Sequence, residues 1–417
     1  MCSARQNHRR RINITVDKLL DRVKIPCLNP PINSDTRFAE PNRLLRVEPR
    51  ARAAQSSADA VRETYAGRPL LLSTPGSVNW RSGGLSDSID VTASSDAVWT
   101  LDCEQGRVLI TNEIEAPRLE HDFGVRELGW DVIGVPWFDA EAPLREACAF
   151  ANVTPDELLR DVDGRGENVR HDLVIARLSL GEPERDELRE LGALVGAALG
   201  AGIDAWRPGV TTDFEIAGTI SDALESGGAK AVCLIVGGDE RLRAFRHPLA
   251  IGAVVFDAVM AVVVARRTGL HVAATRICVR RADDDIVALM KSLEPVNDAV
   301  LGASRPGGTW GSTLEALAKG YEAAGHPEAW REHFQGGPIG FEQREFELAP
   351  NQHDSPYWSL ERVTHSAVAW NPSLRGGAKI EETYLIGKEF ELLSVTPGWP
   401  LVEVSGGTVR SALKVLA

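Results

Sequence analysis

From Arg68 onward the apolar residues fall into two patterns, short runs suited to strands and longer stretches recurring every three or four positions as in helices. RPLLLST predicts a strand, DAVWTLDCEQGRVLITN two strands around CEQG, APRLEHDF the start of a helix, and WDVIGVPWF another strand. APLREACAFANVTPDELLRDV predicts a helix, a Thr-Pro-Asp start signal and a second helix. Together these outline a small α/β domain over residues 61–168. Residues 1–60 are rich in Pro, Asn and Arg with weak periodicity, and are expected to form an irregular lead-in. The polar segment DGRGENVRHD is the expected linker.

Beyond it the pattern changes. Glu182–Trp206 reads as a long helix, and RPGVTTDFEIAGTISDALESGGA as a second, whose Thr-Thr-Asp-Phe-Glu entry supplies a capping hydroxyl and early acids. The strands AVCLIVGG, AVVFDAVMAVVVARR and LHVAATRICVRR follow. A helical stretch runs from Asp284 to about Ala324 with a break at ASRPGGTW, and from Arg331 the chain reads mainly as β, GPIGFEQREFE included. The order predicts two α-β-β halves around a curved sheet over residues 169–417.

Composition narrows the function. The chain has 417 residues, 43% hydrophobic and 25% charged, enough for a sizeable core. A net charge of −13 argues against nucleic acid or an anionic membrane as partner, because phosphate surfaces need clustered Lys and Arg. Arg outnumbers Lys by 38 to 8, a bias that fits GC-rich bacterial coding better than a chemical demand. The six cysteines are scattered without a CxxC, as expected of reduced thiols. The basic N-terminus lacks a following apolar region, and the longest apolar run, Ala250–Ala265, is interrupted by Asp257 and reads as part of a buried hairpin. These features predict a cytoplasmic protein with no membrane association.

The segment REHFQGGPIGFEQREFE, residues 331–347, looks like a metal-hydrolase loop but holds a single histidine. With RPGVTTDFEIA, FRHPLA, GLHVAATR, AVAWNPSL and KIEETYLI, in that order, it resembles the pita-bread fold of aminopeptidase P, prolidase and creatinase. GSVNWRSGG and LITNEIEAPRL resemble the smaller lid domain of creatinase-type members. The resemblance implies a site for two divalent ions held by two aspartates, one histidine and two glutamates. Those positions fall on Val262, Ala273, Gly337, Asn371 and Glu381, and one carboxylate cannot hold a dinuclear centre. No metal and no other cofactor is therefore expected.

What the resemblance leaves is a set of polar residues. His247 matches the creatinase histidine that transfers protons without metal, a task suited to imidazole; a satisfied strand-end histidine is the alternative. Glu381 would orient His247 or stabilise a cationic substrate, unless it is a surface glutamate beside Glu382. His333 matches the first histidine of the family's HxxxH loop, a contact to substrate or to its own loop. Arg344 stands where metallopeptidases place a second histidine and would clamp a carboxylate, or pair with Glu345 or Glu347. Gln335 and Asn371 would read an amide, and His271 lies on a strand near the former metal floor. Arg81 and Trp80, in VNWRSGG, would reach a partner subunit's pocket across a homodimer, with packing the alternative for Trp80.

Two functions remain open at this point. One is a metal-independent, creatinase-like hydrolase or lyase acting on a small polar amide, amidine or amino-acid-derived substrate, in a specialised-metabolite pathway. The other is a catalytically inactive ligand- or protein-binding module, as degenerate pita-bread domains are in the large subunit of the histone chaperone FACT.

Overall fold

In the computed structural model, which describes residues 41–85, 89–404 and 407–416, the first element is a helix, α1 (Pro41–Thr64). The irregular lead-in expected over 1–60 is corrected for residues 41–60; residues 1–40 lie outside the described residues. Val47, Ala51, Ala54, Ala58 and Val61 are all buried, at alternating spacings of four and three. A stripe so narrow and so rich in alanine adds little hydropathy, yet it gives a helix a face to bury.

Residues 70–168 build a six-stranded mixed sheet in the order β4-β3-β2-β1-β5-β6. Its elements are β1 (Leu70–Leu72), α2 (Pro75–Ser82), β2 (Val98–Cys103), β3 (Gly106–Asn112), α3 (Ala116–Phe123), β4 (Asp131–Val135), α4 (Ala142–Ala151), β5 (Leu159–Arg160) and β6 (Glu167–Asn168). The second helix expected after Thr-Pro-Asp is a single 3-10 turn, Pro155–Glu157, with a capping box between Thr154 and Glu157. The turn stops because Leu159 and Arg160 are drawn into parallel pairing with β1. The expected linker is structured too, since it contributes β6 and the first residues of α5 (Arg170–Leu178).

The remainder carries α6 (Glu182–Asp204), α7 (Asp213–Ser226), β7 (Lys230–Gly238), α8 (Asp239–Ala244), β8 (Ala258–Arg267), β9 (Leu270–Val279), α9 (Asp285–Ala303) and α10 (Trp310–Ala323). Then come β10 (Gly336–Ile339), β11 (Ser366–Trp370), β12 (Ser373–Leu374), β13 (Ala378–Lys379), β14 (Glu382–Ile386), β15 (Phe390–Leu392), β16 (Leu401–Val404), β17 (Thr408–Ser411) and β18 (Lys414–Val415). Thr212 caps α7 by accepting from the Glu215 N–H, as its sequence implies. The buried hairpin is β8–β9, whose first strand begins at Ala258, midway along the apolar run rather than at its start. There the Asp239 carboxylate takes the N–H groups of Phe256, Asp257 and Ala258 and holds the approach out of the sheet. β10 likewise ends at Ile339 instead of running through Glu347, because the Glu345 carboxylate folds the next turn by accepting from Phe341 and Glu342.

Two four-stranded sheets, β18-β9-β8-β7 and β10-β11-β14-β15, meet along β9 and the entry to β14. The Thr275 N–H donates to the Glu381 carbonyl at 3.0 Å, and the Thr383 hydroxyl both accepts from and donates to the Ala273 backbone. α6 covers the first sheet, with Leu188, Leu191 and Val195 in one core alongside Val263, Ala265 and Val272. α9 and α10 cover the second, where Leu293 and Leu314 share a core with Val368 and Ile386. Each such aliphatic side chain stabilises the fold by roughly 1.5–3 kcal/mol on burial. α6 lies close to segment 393–396, and a Cβ at Gly196 would sit 2.0 Å from the Val395 carbonyl oxygen. Residues Arg43–Ala417 pack as one compact unit, and no helix among the described residues is long and apolar enough to cross a membrane.

Candidate functional site

Strand register builds the floor of the candidate site. Cys233 lies opposite Val264 and Ile235 opposite Val262 in the β7–β8 pairing, while Val264 and Val262 face Ala273 and Thr275 in β9. Neighbours in register point to the same side of a sheet, so these residues share one face. Cys233, Ile235, Val262 and Val264 line a cavity of about 430 Å³ whose polar wall includes His247, His333, Arg344, Asn371, Lys379 and Glu381.

Glu381 is the hub of that wall and is only 2% exposed. Its carboxylate accepts from the Thr275 hydroxyl at 2.8 Å and from Arg344 Nη2 at 3.2 Å, with Asn371 Nδ2 at 3.4 Å and Lys379 Nζ at 3.7 Å. Burial alone pushes its pKa up; the Lys379 and Arg344 cations and the Thr275 hydrogen bond outweigh that and hold it below the usual carboxylate range. Arg344 thus pairs with Glu381 rather than with Glu345 or Glu347, its other hydrogen bond going to the Gln343 carbonyl. Glu381 makes no hydrogen bond to His247, so the expectation that it orients that ring is corrected. Glu342 and Glu347 also line this cavity, so its two cations face three carboxyl groups, and Arg344 and Lys379 are the side chains there that attract an anion.

His247 follows α8, and His333 precedes β10. Their Nε2 atoms are 2.9 Å apart and the rings meet edge to face. His333 Nδ1 faces the Phe334 carbonyl oxygen and so must carry the proton there. Neutral His333 then presents an Nε2 lone pair, His247 Nε2–H donates to it, and His247 Nδ1 keeps a lone pair of its own. Burial, reinforced by the Lys379 ammonium, lowers His247 below the ordinary imidazole range and His333 to about 4. The pair is therefore neutral at pH 7. It stands between the cavity above and a second one of about 620 Å³, as His247 and His333 line both.

The other expected residues separate into two groups. Asn371 belongs to the site; it is 6% exposed and its Oδ1 has no hydrogen-bond partner. Gln335 does not offer its amide donors to a ligand: its Nε2 donates to the Trp330 and His333 carbonyls, and its Oε1 accepts from the Tyr321 hydroxyl. His271 lies on the same face of β9 as Ala273, nearer the hairpin turn, and its Nδ1 is 3.0 Å from the Gly340 oxygen; it lines a separate cavity. Arg81 is fully buried against Asp102 and over the Trp130 ring, and Trp80 belongs to the core, so neither is a substrate contact within this chain. Sequence reasoning missed Lys379. Its signal was the spacing to Glu381 in KIE, two positions apart on an extended segment and hence on one side.

A pair of divalent ions does not fit these residues. Val262, Ala273, Gly337 and Asn371 supply no anionic ligand, and the Glu381 oxygens are already engaged by two cations and a hydroxyl. Among the described residues no three His, Cys, Asp or Glu side chains gather in an arrangement that holds a metal.

Taken together, a mixed-sheet lid and a duplicated helix-and-sheet domain around this cavity define a two-domain α/β protein of the pita-bread fold. Solved structures similar to it include dipeptidase PepE from Mycobacterium ulcerans, 17% identical with a TM-score of 0.66, covering 84% of this chain and 97% of that one. Another is the Xaa-Pro dipeptidase from Bacillus anthracis, 15% identical at TM-score 0.63, covering 88% of this chain and 100% of that one. The N-terminal domain of FACT complex subunit SPT16 from chickpea, Cicer arietinum, is 13% identical at TM-score 0.60, covering 84% and 96%. No protein-family model matches the sequence, and no curated protein matches it either. At these identities the likeness shows the fold alone.

Proposed function

We propose that this protein is a metal-independent, creatinase-like enzyme in which His247 is the general base. The observation that carries the reading is the 2.9 Å contact between two imidazoles at the edge of a cavity lined by charges of both signs. His247 Nδ1 takes a proton from water as the water oxygen bonds to the carbon of an amide or amidine. The C–N bond then breaks, and the imidazolium returns that proton to the departing nitrogen. His333 acts through His247, accepting from its Nε2–H and holding the ring in place. Arg344 and Lys379 would receive a substrate carboxylate, which favours amino-acid-derived molecules. The same base serves an elimination or isomerisation when the proton removed is on carbon.

The test is a panel of small N-carbamoyl, N-acyl and amidino amino acids. His247→Asn is expected to lower turnover by about 10²–10⁴, the usual worth of a general base. Undiminished turnover in that variant contradicts the assignment. A homodimer belongs to the same proposal and is tested by light scattering, where a monomer mass contradicts it.

A second reading has its own support. The likeness to the SPT16 domain is as broad as that to the dipeptidases, so a binding module without turnover accounts for the fold equally well. Saturable binding of a panel member without product formation in any arm would favour it over catalysis.

A further inference from the structure

A third cavity, of about 290 Å³, lies between α2 of the lid and the β8–β9 hairpin. Its lining includes three polar side chains of interest that are more than nine-tenths buried, Asn79 at 1% exposed, His271 at 5% and Arg266 at 6%. Arg266 Nη2 has no hydrogen-bond partner, and no carboxylate among the described residues forms an ion pair with that guanidinium. Arginine cannot shed its charge, so a buried guanidinium without an anion is costly. Asn79 directs Nδ2 to the Pro75 carbonyl at 2.8 Å, which fixes the amide orientation and leaves Oδ1 buried without a donor. His271 uses Nδ1 on the Gly340 carbonyl, so its Nε2 is a second acceptor. One cavity therefore holds a guanidinium nitrogen and an amide oxygen that are buried without partners, beside an imidazole Nε2 able to accept.

We propose that this cavity binds a small carboxylate that also carries an N–H, the carboxylate on Arg266 and the N–H on Asn79 Oδ1 or His271 Nε2. A monoanion fits better than a phosphate dianion, because Glu342 lines the same cavity and only Arg170, already near Glu342, adds positive charge. Glu342 and Gln343 also line the cavity beneath the histidine pair, so a ligand here adjoins that site while its binding is independent of turnover.

The test is isothermal titration of the full chain with N-acetylglycine, N-acetylglycinamide and inorganic phosphate. N-acetylglycine is expected to bind saturably, and the neutral amide at least about tenfold more weakly, the worth of one charged hydrogen bond. Arg266→Gln should show the same loss without a lowered thermal midpoint, since the change breaks no ion pair. Because Arg344 belongs to the cavity of the histidine pair, which takes N-acyl amino acids too, the titration is repeated in an Arg344→Gln background, where N-acetylglycine should still bind and the added Arg266→Gln should abolish that binding. Equal binding of acid and amide, no saturable binding, or tighter binding of phosphate overturns the proposal. So does binding in Arg344→Gln that survives the added Arg266→Gln, or no binding in Arg344→Gln, which would put the carboxylate in the other cavity alone.

Discussion

At the residue scale, the site is governed by one lysine. Lys379 holds Glu381 ionised from one side and, after burial, is the largest influence lowering both His247 and His333. Replacing it with methionine removes a cation from beside two imidazoles, so both should titrate at higher pH. In Lys379→Met the acidic limb of the rate profile is expected to move upward in pH while KM for a carboxylate substrate rises. An unmoved limb contradicts the role given to this ammonium. The same histidines bear on stability. His333 at about 4 and buried His271 at about 3 bind fewer protons folded than unfolded over the range up to the free-imidazole value near ~6.5. Their contribution is complete above ~6.5 and is lost as pH falls through that window toward the folded values. Urea midpoints measured from neutral pH to pH ~4 should fall, and His271→Asn should flatten part of the fall; a flat wild-type profile contradicts the burial argument.

At the level of elements, periodicity was a good guide wherever a helix or strand buries a broad face. α6, α7, α9, α10 and the β8–β9 hairpin were legible because leucine, valine and isoleucine mark their inner sides. α1 was not, since its inner side is mostly alanine. The Thr154–Glu157 box is a genuine start signal, yet Leu159 and Arg160 after it pair with β1 instead of continuing a helix. Tertiary pairing overrode a local cue. The candidate site was half legible: motif order brought His247, His333, Arg344, Asn371 and Glu381 together, whereas Arg81 and Trp80 were drawn from lid position without knowledge of burial. Arg81 Nε is 2.7 Å from Asp102 and both side chains are sealed from solvent. Arg81→Met should therefore cost about 3–5 kcal/mol of stability, as leaving a buried charge unpaired does. Calorimetry should show that loss with KM unchanged for the folded fraction; a raised KM with full stability would restore Arg81 to the site.

For the whole molecule, the fold places an apolar strand floor where a cation cage would need carboxylates, and sets two imidazoles and a lysine–glutamate–arginine group around it. On the reading proposed above, that arrangement favours proton transfer by the imidazole pair as the chemistry of this cavity. The lid is not a loose appendage, since Arg177 of α5 reaches both Ser77 of α2 and Glu345 of the turn after β10. The central claim concerns the state of the histidine pair, and long-range proton–nitrogen NMR of the imidazole rings reads it directly. At pH 7 we predict two neutral rings, His333 protonated on Nδ1 and His247 on Nε2, with neither nitrogen shifted by a metal. An imidazolium in that pair, or a metal-shifted nitrogen on either ring, would contradict the account.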